Sequence, residues 1–140
     1  PEEAVTDADI ICAATTSSTP VLHYQDLKSG VHINGVGSFQ PSMQEIDSET
    51  IKNALVFVDS RESALSETGD LTIPIQEGII GKNHLRAEIG ELLENPSLGR
   101  KTPDEITFFK SCGVAVQDVV AAGLALEQAK KHNLGRIISM

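Results

Sequence analysis

The stretch "DIICAATTSSTP", Asp9 to Pro20, carries the decision about the fold. Asp9 to Ala14 is a continuous apolar run of strand length, and six polar or turn-forming residues follow it. A run without polar alternation suits a strand covered on both faces, which is the habit of parallel sheets. "ALVFV", Ala54 to Val58, has the same character. Val31 to Val36 and Ile106 to Phe109 complete a predicted set of strands.

Helical segments fall between them. A short turn is expected at Tyr24 to Lys28, stopped by Ser29-Gly30. "IDSETIKNA" reads as a short helix with Asp47 or Ser48 as N-cap. Asp59-Ser60 caps a helix over "RESALSET", with Gly69 placed as its C′ residue. "LTIPIQEGIIG" is expected to be a loop, because Pro74 interrupts a strand-like pattern. "HLRAEIGELLE" reads as one helix capped by Asn83, and "PSLGRKTPDE" as a polar loop. Val114 to Lys131 is a long helix, with Asp118 in its first turn and Lys130 and Lys131 in its last, matching the dipole. Strands alternating with helices predict an α/β domain with a mostly parallel sheet.

The composition narrows the function. The chain has 140 residues, 40% of them apolar, a size and balance that fit one globular domain. A net charge of −9 argues against binding a nucleic-acid backbone. Nothing in the sequence is long and apolar enough to span a bilayer, and no signal-peptide layout opens it, so a cytoplasmic protein is expected. Cys12 and Cys112 have no CxxC spacing, and His23, His32, His84 and His132 are scattered, so no metal site is expected. The dinucleotide fingerprint GxGxxG is missing, as are G-x-S-x-G, HExxH and the P-loop. A buried strand almost at the first residue suggests a piece of something longer.

In open parallel sheets, ligands bind at the carboxyl ends of strands. Three short stretches fall there: Thr15-Thr16-Ser17, Val36-Gly37-Ser38 and Lys110-Ser111-Cys112-Gly113. All are small, polar or glycine-containing. The last leads into a helix N-terminus, whose free N–H groups would suit an anion or a carbonyl. Helix capping and simple turns also use such residues, so each has a purely structural reading. Asp59 is expected to be a helix cap, and Cys112 a small packing residue.

"ADIICAATTSSTPVL", "VHINGVGSFQP" followed by "QEID", "VFVDSRESALSETGDL", "IGELL" and "EITFFKSCGVAVQDVVAA" occur in this order. Together they resemble the ornithine cyclodeaminase/mu-crystallin family, which also includes archaeal-type alanine dehydrogenases and ketimine reductases. The resemblance covers nearly the whole chain. It implies the second half of a Rossmann-type NAD(P)-binding domain, a fragment of a longer two-domain chain. Residues 1–113 would be the dinucleotide-binding part, and 114–140 a helix returning toward the dimerisation and substrate domain.

By the same resemblance, Thr15, Val36, Gly37, Ser38, Phe39 and Ser111 fall on cofactor contacts, and Cys112 falls near substrate. The cofactor would be NAD or NADP, and the full-length protein a homodimer. Cyclodeaminases of the family carry an aspartate where this chain has Phe39, and a lysine where it has Met43. The expected activity is therefore an NAD(P)-dependent oxidoreductase acting on a small amino, imino or oxo acid, with this segment inactive by itself. The alternatives are an ornithine cyclodeaminase, releasing ammonia and proline, and a mu-crystallin-like binding protein with little turnover. No catalytic residue is assigned.

Overall fold

The computed structural model describes residues 2–136 and 138. Positions 137, 139 and 140, the end of the expected second segment, lie outside the described residues. In chain order the elements are α1 (Glu2–Val5), β1 (Ile10–Ala13), β2 (His32–Gly35), α2 (Ser48–Asn53) and β3 (Leu55–Val58). They continue as α3 (Arg61–Glu67), α4 (Gly69–Gln76), β4 (Leu85–Glu88), α5 (Ile89–Glu94), β5 (Thr107–Lys110) and α6 (Ala115–Lys131). Single 3₁₀ turns sit at Tyr24–Asp26, Lys82–His84 and Pro96–Leu98.

The strands form one five-stranded sheet in the order β1-β2-β5-β3-β4, and every pairing is parallel. Ile11, Ile33, Phe108 and Val56 line up across four neighbouring strands and share one face. That face is the core: Ile33, Val56 and Phe108 are fully buried, and Ile46, Ile51, Ala64 and Leu71 join the same cluster. Each buried Ile, Val, Leu or Phe side chain contributes about 1.5–3 kcal/mol by leaving water. The opposite face is more open, with Ile10 65% exposed and His32 and Asn34 half-buried. β1 and β4 are the outer strands of the described sheet.

Local chemistry explains the helix starts. Asp47 accepts the Thr50 N–H at 2.8 Å and caps α2, while Ser60 accepts the Ser63 N–H and caps α3.

Two expectations are corrected. "LTIPIQ" is not a loop: it lies in α4, which Gly69 opens directly after the Thr68 C-cap of α3. Leu71 and Pro74 are buried and Ile75 is half-buried, so the 71, 74, 75 spacing packs one helical face despite the N–H that Pro74 lacks. Gly69 is also pressed against Met43 O and Pro41 O, where a Cβ would collide.

"HLRAEIGELLE" is not one helix. Leu85 to Glu88 forms β4, burying Leu85 and Ala87 in alternation, and only Ile89 to Glu94 is helical. Leu85, Ile89 and Leu92 suit a helical period, but four residues are too few to separate that period from a strand's alternation. The switch falls at Glu88, whose N–H donates to the Glu91 carboxylate at 2.8 Å.

Candidate cofactor rim

Because the strands are parallel, the residues following β1, β2 and β5 emerge at the same end of three adjoining strands. Val36 N–H and Gly37 N–H both donate to Ala13 O, and Ser111 N–H donates to Gly35 O at 3.0 Å. The structure thus brings Thr15, Val36, Gly37, Phe39, Ser111 and Cys112 to one rim. Gly37 is required by close approach, since a Cβ there would run into Thr15 backbone atoms and Glu45 Oε1.

The members differ in what they offer. Val36 and Phe39 are 52% and 56% exposed, so the rim carries two apolar side chains. Thr15 is exposed, and its Oγ1 accepts the Ser17 N–H at 3.1 Å. Ser38 is set apart: its side chain is fully buried, donating to Met43 O at 2.6 Å and lying 2.8 Å from Thr68 Oγ1. Met43 is buried as well, so position 43 does not share the rim that Phe39 occupies.

In the β5–α6 turn, ahead of the helix, two N–H groups are already taken: Cys112 N–H and Gly113 N–H donate to Asp59 Oδ2 at 2.9 and 2.7 Å. The Ser111 hydroxyl donates to the same oxygen at 3.1 Å. Asp59 is therefore not a helix cap but a strap from β3 to the turn after β5, and its Oδ1 takes the Ser60 N–H. Gly113, at φ 83°, supplies the left-handed residue that turns the chain into α6. With its one proton committed, the Ser111 hydroxyl faces a ligand as an acceptor. Burial pushes the Cys112 thiol up to about 11, so it stays protonated at neutral pH and is no nucleophile.

Beneath the rim lie three charged side chains that the sequence reading did not single out. Glu45, Asp70 and Lys110 are all fully buried. Glu45 accepts N–H groups from Thr15, Gly37 and Ser38. Asp70 Oδ1 accepts Glu45 N–H and Ile46 N–H, and Asp70 Oδ2 lies 3.6 Å from Lys110 Nζ. Charged residues are rarely buried outright, and no local pattern in "SMQEID", "ETGDL" or "FFKSC" marks these three as exceptions.

Among the described residues, no group of His, Cys, Asp and Glu is placed to hold a metal ion, and no helix is long and apolar enough to cross a membrane. A shallow concavity lined by Ile10, His32, Phe57, Arg100 and Thr107 opens on the less covered sheet face, where His32 and Thr107 begin their strands. It lies toward the strand ends opposite the rim.

A sequence model of the ornithine cyclodeaminase/mu-crystallin family matches residues 1–133. The chain belongs to the ornithine cyclodeaminase/mu-crystallin family. Within the family, it is 47% identical over 137 residues to a Δ1-pyrroline-2-carboxylate reductase of Bacillus cereus, covering 97% of this chain and 42% of that protein. The Δ1-pyrroline-2-carboxylate reductase of Thermococcus litoralis, solved with NADH and L-proline, superposes with a TM-score of 0.92 at 40% identity. That match covers 98% of this chain and 42% of the other. An archaeal alanine dehydrogenase dimer with bound NAD superposes at a TM-score of 0.87 and 35% identity, covering 99% and 43%. The chain thus spans about two-fifths of the length of these family members.

Proposed function

We propose that the chain is the nicotinamide-side part of an NADH-dependent reductase acting on a small cyclic imino acid, Δ1-pyrroline-2-carboxylate, to give proline. The observation that carries the reading is the rim: Thr15, Val36, Phe39 and Ser111 at adjoining strand ends, with no titrating side chain in Phe39's place. The similarity to Δ1-pyrroline-2-carboxylate reductases, one of them holding NADH and L-proline, supports the same substrate class.

The residues fit one end of a dinucleotide better than the other. Glu45 and Asp59 already occupy the N–H groups of Thr15, Gly37, Ser38, Cys112 and Gly113. A pyrophosphate would meet filled donors there, whereas a neutral carboxamide ring could lie against Val36 and Phe39. The Ser111 oxygen would accept a carboxamide N–H. In this arrangement Thr15, Val36, Gly37 and Phe39 hold the cofactor, Ser38 braces their turn from inside, and Cys112 stands near substrate as a neutral thiol. The dinucleotide, when bound, supplies a hydride to the imine carbon, while the imine nitrogen takes up a proton. Val36 and Phe39 keep water from that carbon. Phe39 cannot exchange a proton, which favours hydride transfer over a deamination that needs a positioned acid or base.

Residues 1–113 would belong to the dinucleotide-binding domain, and 114–140 would lead toward a second domain that completes the substrate pocket. A homodimer in the cytoplasm is the proposed working form; the archaeal alanine dehydrogenase neighbour is itself a dimer. The test uses the full-length protein. NADH oxidation with Δ1-pyrroline-2-carboxylate is set beside ammonia release from ornithine with catalytic NAD⁺. Brisk ammonia release without imine reduction would replace this reading with the cyclodeaminase one.

A further inference from the structure

We infer that Glu45 is a positioning residue for the cofactor rim, holding the turns after β1 and β2 at a fixed separation from below. The inference rests on the cofactor reading above.

One carboxylate serves both turns. Oε1 takes the Thr15 N–H, and Oε2 takes Gly37 N–H at 2.8 Å and Ser38 N–H at 3.0 Å. The absence of a Cβ on Gly37 is what lets that turn approach both Thr15 and Glu45. Glu45 is held in turn through its own N–H, which donates to Asp70 Oδ1 at 2.7 Å. Asp70 faces the ammonium of Lys110, the last residue of β5 and the one before Ser111. The buried chain Glu45–Asp70–Lys110 therefore reaches all three turns of the rim.

Stability by itself does not account for this arrangement. Withdrawing three charges from water is costly, and apolar residues of similar volume commonly serve a core as well or better. A carboxylate can do what they cannot: accept several N–H groups converging from two separate turns. Those N–H groups belong to the residues that would touch the cofactor, which makes their spacing a determinant of how it seats.

The experiment uses the full-length protein and Glu45→Gln, which keeps the shape but turns an NH₂ toward one of the two turns. Amide hydrogen exchange is read at Thr15, Gly37 and Ser38, with Ile33 and Phe108 as core references, and NADH and ADP-ribose affinities are measured in parallel. The loss of charge-assisted hydrogen bonds predicts exchange about tenfold faster or more at the three amides, with the references unchanged. NADH should bind about tenfold more weakly, while ADP-ribose, which lacks the nicotinamide, keeps its affinity. Unchanged exchange at the three amides, or loosened amides with unchanged NADH affinity, would overturn the inference.

Protection of Val36 to Phe39 and Ser111 to Gly113 by NADH in the unaltered protein tests the cofactor reading separately. Its absence would sink that reading whatever Glu45→Gln does to the amides. Should Glu45→Gln fail to fold, Glu45→Asp, with the charge kept and the reach shortened, is scored by the same measurements and limits.

Discussion

Replacing Lys110 by Met should be among the most damaging single changes in the chain. The Nζ of Lys110 lies 3.6 Å from Asp70 Oδ2, and both side chains are fully buried. At that separation, an effective dielectric of about 20 gives an attraction of about 4–5 kcal/mol. Removing one member of a buried pair typically costs about 3–5 kcal/mol, because the other charge is left uncompensated. Asp70 already has its acid raised above 3.8 by burial, against the opposing pull of Lys110 and the N–H groups of Glu45 and Ile46. Without the ammonium it rises further.

The pH dependence follows from that direction. A carboxyl raised in the folded state favours folding in its protonated form, and the benefit is lost as pH rises through the folded value. Lys110→Met should therefore be weakest at neutral pH and recover part of its deficit on acidification toward Asp70's unfolded value. Urea unfolding at about pH 7 and pH 5 measures this, with an expected midpoint shift of about 2 M at neutral pH for a typical urea dependence. The double variant Asp70→Asn/Lys110→Met should regain much of the loss, giving a coupling of several kcal/mol. A single variant within about 1 kcal/mol of the unaltered protein would refute the reasoning, as would a deficit that does not change with pH.

Other outcomes are expected. Cys112, with its thiol at about 11, should be alkylated far more slowly than the exposed Cys12 at neutral pH, with its rate still climbing above about pH 9; mass spectrometry of partly labelled protein settles the order. Gly37→Ala should destabilise by about 2 kcal/mol or more, because the new Cβ meets Thr15 backbone and the Glu45 carboxylate, and thermal unfolding reads it. Phe39→Asp in the full-length protein should slow imine reduction and introduce at most weak ammonia release from ornithine, since a single carboxylate on the rim lacks a partner from buried position 43; coupled assays of both products check it.

Much of the architecture is legible in the sequence because its signals are local and strong. "DIICAA" and "ALVFV" are apolar without alternation, and they become parallel strands within a residue of the expected ends. The rim follows from parallel geometry once those strands are placed. What escapes the sequence depends on distant partners. Pro74 argues for a loop until the burial of Leu71 outweighs it, and "LRAE" becomes a strand only because β3 lies beside it. Asp59 resembles a cap because a helix starts next to it, yet its oxygens serve a turn more than fifty residues away. Glu45, Asp70 and Lys110 give no local sign, since Asp70's partners, Glu45 N–H and the Lys110 ammonium, lie 25 and 40 residues away from it along the chain.

The strand order has a consequence for synthesis. Among the described strands, β5 occupies the middle of the sheet but is made after the other four, and His32 waits for a partner, Thr107, 75 residues further along. Until Thr107 to Lys110 has left the ribosome, β2 and the apolar β3 each lack the neighbour on the side where β5 will lie, and an unpaired strand edge is exposed to wrong pairing. Nascent chains stopped before β5 should therefore be soluble only with help from a chaperone. Joining the β1-β2 pair to the β3-β4 pair, and with it adding the third turn of the rim, then waits for the emergence of four residues, "TFFK".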